Sequence, residues 1–166
     1  MIGLILSVIV VGLAILLIYR YGKPTRKGEI IVDILRRVTI GQEVTAPIYI
    51  DTHGAVINAA EVHLEFDPQA LQVKSVSKEG SFFTLWITDY PKFSNDNGTI
   101  SFTGGLPTPG FKGKGKVGSF TFVINKSGLT PLTFLSTTRV LLNDGHGTAL
   151  PLKLSPIKIQ GQNILK

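Results

Sequence analysis

The chain has 166 residues, no cysteine and a formal net charge of +6. That length allows one domain with a core of its own, and the missing thiols exclude a disulfide framework and a thiolate metal site. The charge is local: Arg20, Lys23, Arg26 and Lys27 precede the first acid, Glu29, and from Glu29 onward thirteen basic residues face eleven acidic ones, so no nucleic-acid partner is expected.

Ile2 to Tyr19 contains no charged residue. As a helix these residues would reach about 27 Å at about 1.5 Å each, close to a hydrocarbon core of about 30 Å. Tyr19 and Tyr21 fall where interfacial aromatics belong. No basic stretch precedes the apolar run, and Leu17-Ile18-Tyr19-Arg20 makes a poor cleavage site, which favours an uncleaved single span over a signal peptide. The expectation is a transmembrane helix anchoring the chain in the membrane through residues 2–19 (segment 1–21), then a polar linker over 22–28 broken by Pro24 and Gly28. The basic residues after the span favour a cytoplasmic position for the remainder, whereas the recognition role suggested below favours the outside. A single-pass membrane protein with an extracellular domain is the expected arrangement.

From residue 29 the chain reads as strands cut by turns. Ile30–Leu35 is one strand, Gly41-Gln42 a turn, and Val44–Asp51 a strand with Val44, Ala46, Ile48 and Ile50 on one face. Ala55–Phe66 is long, with a bulge expected near Asn58–Ala60. Asp67-Pro68 stops it, because proline removes a ladder donor and the pair favours a turn. Leu71–Ser77 and the aromatic-rich Phe82–Thr88 follow. Asn95-Asp96-Asn97-Gly98 is a strong turn before Thr99–Thr103, which turns Ile100 and Phe102 inward. Gly113-Lys114-Gly115-Lys116 lacks the spacing of a phosphate loop and reads as a mobile basic loop. Val117–Ile124, with Phe120, Phe122 and Ile124 on one face, leads to Leu132–Leu135, Arg139–Leu142 and Leu150–Ile159. The tail 161–166 is expected to fray. Nine or ten short strands without an amphipathic helix predict an all-β fold, an antiparallel β-sandwich over residues 29–160.

Several of these segments, in this order, resemble the bacterial cohesin domain. They are Gly41-Gln42-Glu43-Val44, Asn58-Ala59-Ala60-Glu61, Phe66-Asp67-Pro68, Phe82-Phe83-Thr84-Leu85-Trp86, Asn97-Gly98-Thr99-Ile100-Ser101-Phe102, Pro109-Gly110-Phe111-Lys112-Gly113-Lys114-Gly115 leading to Phe120-Thr121-Phe122, and Val140-Leu141-Leu142-Asn143-Asp144-Gly145-His146-Gly147-Thr148. The resemblance implies a nine-stranded jelly-roll sandwich. It also implies a non-enzymatic binding module whose partner is a dockerin-like protein module or a cell-surface polysaccharide. A carbohydrate-binding module proper and a pilus-like envelope subunit are the alternatives.

Glu61, His63 and Glu65 alternate with Val62, Leu64 and Phe66, so period two places them on one outward face. Ser101 and Thr103 take the same position opposite Ile100 and Phe102. The resemblance makes this face the candidate partner surface; the plain alternative is a solvated sheet face. Trp86 is a candidate aromatic contact, against the simpler reading that Phe82, Phe83, Trp86, Tyr90 and Phe93 mostly fill the core. Asp144-Gly145-His146-Gly147-Thr148 reads as a glycine-rich turn, lacking the several acids that calcium wants. With no nucleophile motif and three histidines in unrelated contexts, no catalytic residue, metal site or cofactor is expected.

Overall fold

The computed structural model describes residues 27–163. The expected anchor and nearly all of the linker lie outside them, and among the described residues no helix is long and apolar enough to cross a membrane. In chain order the strands are β1 (Gly28–Val32), β2 (Arg37–Thr39), β3 (Val44–Asp51), β4 (Ile57–Phe66), β5 (Leu71–Ser77), β6 (Leu85–Trp86) and β7 (Lys92–Ser94). They continue with β8 (Thr99–Gly105), β9 (Lys114–Ile124), β10 (Gly128–Phe134), β11 (Arg139–Leu142), β12 (Leu152–Lys153) and β13 (Ile157–Gln162). They form two stacked sheets, β12-β1-β3-β9-β5 and β2-β13-β10-β4-β8-β6, with β11 also on β4 and β7 also on β8.

The thirteen segments reduce to the nine long strands of the expected sandwich for a simple reason. β10 and β11 run consecutively along β4, β6 and β7 run consecutively along β8, and β2 and β12 are short additions at sheet edges. All pairings are antiparallel except two: β1 with β12 and β2 with β13. The two ends of the described chain cause this. The path β1→β2 leaves the first sheet and joins the second, and β12→β13 does the same beside it in the same direction.

Two expected strands are corrected by this crossover. Ile30–Leu35 ends at Val32, and Leu150–Ile159 breaks at Leu154–Pro156, because a strand that changes sheets must interrupt its ladder. β13 then runs to Gln162, two residues into the expected tail. Gly161 is buried there between Gly128 and Val38. The chain therefore enters at one end of the sandwich, at Gly28 beside Leu152, and leaves at the other, at Gln162 beside Thr39.

The core lies between the sheets, where Phe102, Phe120, Phe122, Ile48, Ile50 and Leu64 are fully buried. Three bulges reconcile the sequence with this interior, one of them on β9 at Val117, opposite Ile48 and Tyr49. An extra residue at Lys74 lets Val73 and Val76 both approach the core although they are three apart. At Asn58 the β4–β11 register slips by one, in the segment where a bulge was expected. Gly118 fits because a β-carbon there would lie 2.6 Å from the Phe102 ring and 2.7 Å from the Ser77 carbonyl oxygen.

Two further readings change. Lys114, Gly115 and Lys116 belong to β9 rather than to a mobile loop. The Thr52 N–H donates to the Gly113 carbonyl and the Gly113 N–H donates to Thr52 Oγ1, both at 2.9 Å, which locks Lys114 opposite Asp51. Of Phe82–Thr88, only Leu85–Trp86 pairs as a strand. The preceding pair turns inward instead: Phe83 is buried, and Phe82 stacks on Phe111 with centroids 4.1 Å apart.

Candidate partner-binding face

The outward face of the second sheet gathers the residues singled out in the sequence. On β4, Glu61, His63 and Glu65 point away from the buried Val62, Leu64 and Phe66. On β8, Ser101 and Thr103 do the same, and the register sets Glu61 beside Thr103 and His63 beside Ser101. All five therefore share one surface, with Glu65 one row further toward the end of the sandwich where the chain leaves.

The centre of this surface is a hydrogen-bonded cluster that reaches onto β11. Arg139 lies directly opposite Glu61 and donates from Nη2 to Oε1. The other carboxylate oxygen lies 3.6 Å from His63 Nε2, and His63 Nδ1 is 3.0 Å from Ser101 Oγ. The Arg139 hydrogen bond, against a smaller opposing effect of burial, holds the Glu61 carboxyl below its ordinary range. The backbone beneath is fixed by Thr138, whose hydroxyl accepts from the His63 N–H (3.1 Å) and donates to the His63 carbonyl (3.0 Å). The face is thus rigid and zwitterionic rather than a loose array of charges.

Beside the cluster runs an open groove of about 520 Å³, floored by Ala59, Gly105 and Leu141 and walled by Leu85, Trp86 and Ile87. Trp86 stands nearly perpendicular to the Phe83 ring, centroids 5.8 Å apart, and packs against the core. Alternation then forces its neighbours outward: Leu85 is 59% and Ile87 57% exposed. The exposed apolar groups here are aliphatic, not the row of flat aromatics that suits a sugar platform. Leu85, Ile87, Arg139 and Leu141 were missed in the sequence. The signal for the first two was the same period-two rule, once Trp86 was taken as core.

Asp144 accepts the His146 N–H at 2.9 Å, and hydrogen bonds from Thr148 and His146 lower its carboxyl, with Gly145 and Gly147 at positive φ of 74° and 69°. This is the glycine-rich turn that was expected. Among the described residues no group of three or more histidine or acidic side chains is placed to hold a metal ion.

The family model for the cohesin domain matches residues 32–149, most of the chain. The chain belongs to the cohesin domain family. Solved cohesins share its fold. A cohesin from Clostridium acetobutylicum, solved in solution, is 18% identical with a TM-score of 0.66, covering 85% of this chain and 94% of that one. The cohesin module of a family 33 glycoside hydrolase from Clostridium perfringens is 16% identical with a TM-score of 0.62, covering 84% and 99%. A type I cohesin–dockerin complex from Clostridium thermocellum contains a chain 15% identical with a TM-score of 0.60, covering 82% and 100%. No curated protein matches the sequence.

Proposed function

We propose that this cohesin is a non-enzymatic receptor that binds a dockerin-type protein module on the outward face of β4, β8, β11 and β6, while residues 2–19 hold it to the membrane with the domain outside the cell. The observation that carries the reading is the face itself. A preorganised Arg139–Glu61–His63 cluster lies against an aliphatic groove of Leu85, Ile87 and Leu141. That is the composition of a protein interface, with apolar anchors beside a polar rim. The solved complex of a related cohesin with a dockerin supports the class of partner. A polysaccharide is the weaker reading, because Trp86 is committed to the core side and the groove walls are aliphatic.

The test is titration of the full chain, in detergent, with dockerin-type modules encoded by its own organism, and in parallel with that organism's surface polysaccharides. Saturable binding of one module, weakened by Leu85→Asp, is the expected result. Glycan binding without any protein binding, or protein binding indifferent to Leu85→Asp and Glu61→Lys, overturns the assignment. Protease shaving of whole cells tests the outer location, and a domain protected in intact cells refutes it.

A further inference from the structure

The two ends of the sandwich differ in charge and in surface chemistry. The end where the chain enters is built from the loops 52–56, 78–84, 106–113 and 143–151. Lys27, Lys78, Lys112, Lys114 and Lys116 cluster there, the first four of them exposed. Its acids are four, Glu29, Asp51, Glu79 and Asp144, against those five lysines and Lys153. Glu29 pairs with Lys153 at 3.1 Å, and Asp51 and Asp144 accept the backbone N–H groups of His53 and His146, each at 2.9 Å. Only the exposed Glu79 has no such role. The opposite end, with loops 40–43, 67–70, 95–98 and 125–127, carries Glu43, Asp67 and Asp96 against Lys126 alone.

The basic end also has an apolar tip. Val56 is 41% exposed and stands against the Pro107–Gly110 turn, with Pro107 and Pro109 exposed beside it. The turn is held rigidly, since Asn143 donates to the Pro109 carbonyl at 3.0 Å and Gly110 donates to Pro107 at 3.0 Å. Lysines around a small apolar tip are the chemistry of a membrane-surface contact. Residues 22–28, fully extended, reach about 25 Å at most, so an anchored chain holds this end near the bilayer.

We infer that this end docks on the anionic headgroups of the membrane that holds the anchor, standing the sandwich upright with its partner face turned sideways. The inference rests on the anchor reading and adds a second, electrostatic attachment. A tether alone would bring the same end near the membrane whatever the lipid charge; docking makes its approach depend on anionic lipid and on salt.

The chain has no native cysteine, so Thr108→Cys and Ser127→Cys place one dye at either end of the full chain. Energy transfer to headgroup-labelled lipid is read in vesicles of neutral phosphatidylcholine and in vesicles with about 30% anionic phosphatidylglycerol. Transfer from position 108 should rise with anionic lipid, fall back in high salt, and exceed any change at position 127. Lys78→Ser and Lys112→Ser should each weaken the docked population about fivefold, while Lys126→Ser leaves it unchanged. Equal transfer from position 108 in both lipids, from a chain that floats with the vesicles, overturns the docking and leaves the anchor standing. A chain that fails to float with either vesicle overturns both.

Discussion

Asn95 offers the sharpest test of how the partner face is held in place. It begins the turn between β7 and β8, yet its side-chain amide reaches the other sheet. There it accepts the Val73 N–H and donates to the Val73 carbonyl, both at 2.9 Å. Val73 lies on β5, the edge of the first sheet, so the amide stands in for a missing neighbouring strand. Asn95→Ala removes both bonds at once and leaves a part-buried donor and acceptor on β5. At about 1 kcal/mol net per bond, with some added cost for the groups left unpaired, the loss should be about 2–3 kcal/mol. For a domain of this size that corresponds to a fall in Tm of about 6–12 °C. Asn95→Asp keeps the acceptor but sets a carboxylate against the Val73 carbonyl, so at neutral pH it should lose at least as much. Urea unfolding followed by Trp86 fluorescence measures both, and the slope with denaturant should not change. A loss below about 0.5 kcal/mol for Asn95→Ala would refute the idea that this amide ties the two sheets together.

Three further outcomes follow from the geometry. Leu85→Ser and Ile87→Ser should leave Tm nearly unchanged, because both side chains are mostly exposed; each should weaken partner binding about tenfold, as measured by calorimetric titration, if the partner covers the exposed part of a side chain worth about 2.5 kcal/mol on full burial. Gly98→Ala should destabilise by more than 2 kcal/mol in the same urea assay, since φ is +62° and the new β-carbon would meet the Phe66 carbonyl oxygen. The Glu61 carboxyl titrates below its ordinary value of 4.5. The stability it contributes is therefore complete above that value and is lost as pH falls through the lowered folded value. With a partly exposed pair the contribution stays under about 1 kcal/mol. Glu61→Gln should flatten that part of the pH profile, and identical profiles for the two proteins would remove Arg139 as the cause.

The local features of this fold were readable from the sequence and the long-range ones were not. β3, β5 and β11 begin and end where alternation and turn residues put them, and the face of Glu61, His63 and Glu65 follows from period two alone. What alternation cannot supply is the neighbour across the ladder. Arg139 belongs to the central cluster only because β11 registers against β4 across a separation of 78 residues. Leu85 and Ile87 were hidden because an aromatic-rich run reads as core throughout, and only the inward turn of Trp86 separates its neighbours from it. The lysines of β9 looked like a loop because glycines flank them. Gly115 is there to admit rings: a β-carbon would lie 2.7 Å from both Phe111 and Phe82. The strands at either end of the fold were misread for a related reason, since a strand that passes between sheets keeps its composition while losing its ladder.

Because the chain enters at Gly28 and departs at Gln162 from opposite poles, copies fused in series would stack along their long axes. The longest strand, β9, with 11 residues, sets a repeat of at least about 36 Å per unit. Each recognition surface would then project from the flank of a rod, none of them blocked by the junction to the next copy. A reporter appended after residue 163 would likewise sit at the pole farthest from the lysines and clear of the Leu85 groove.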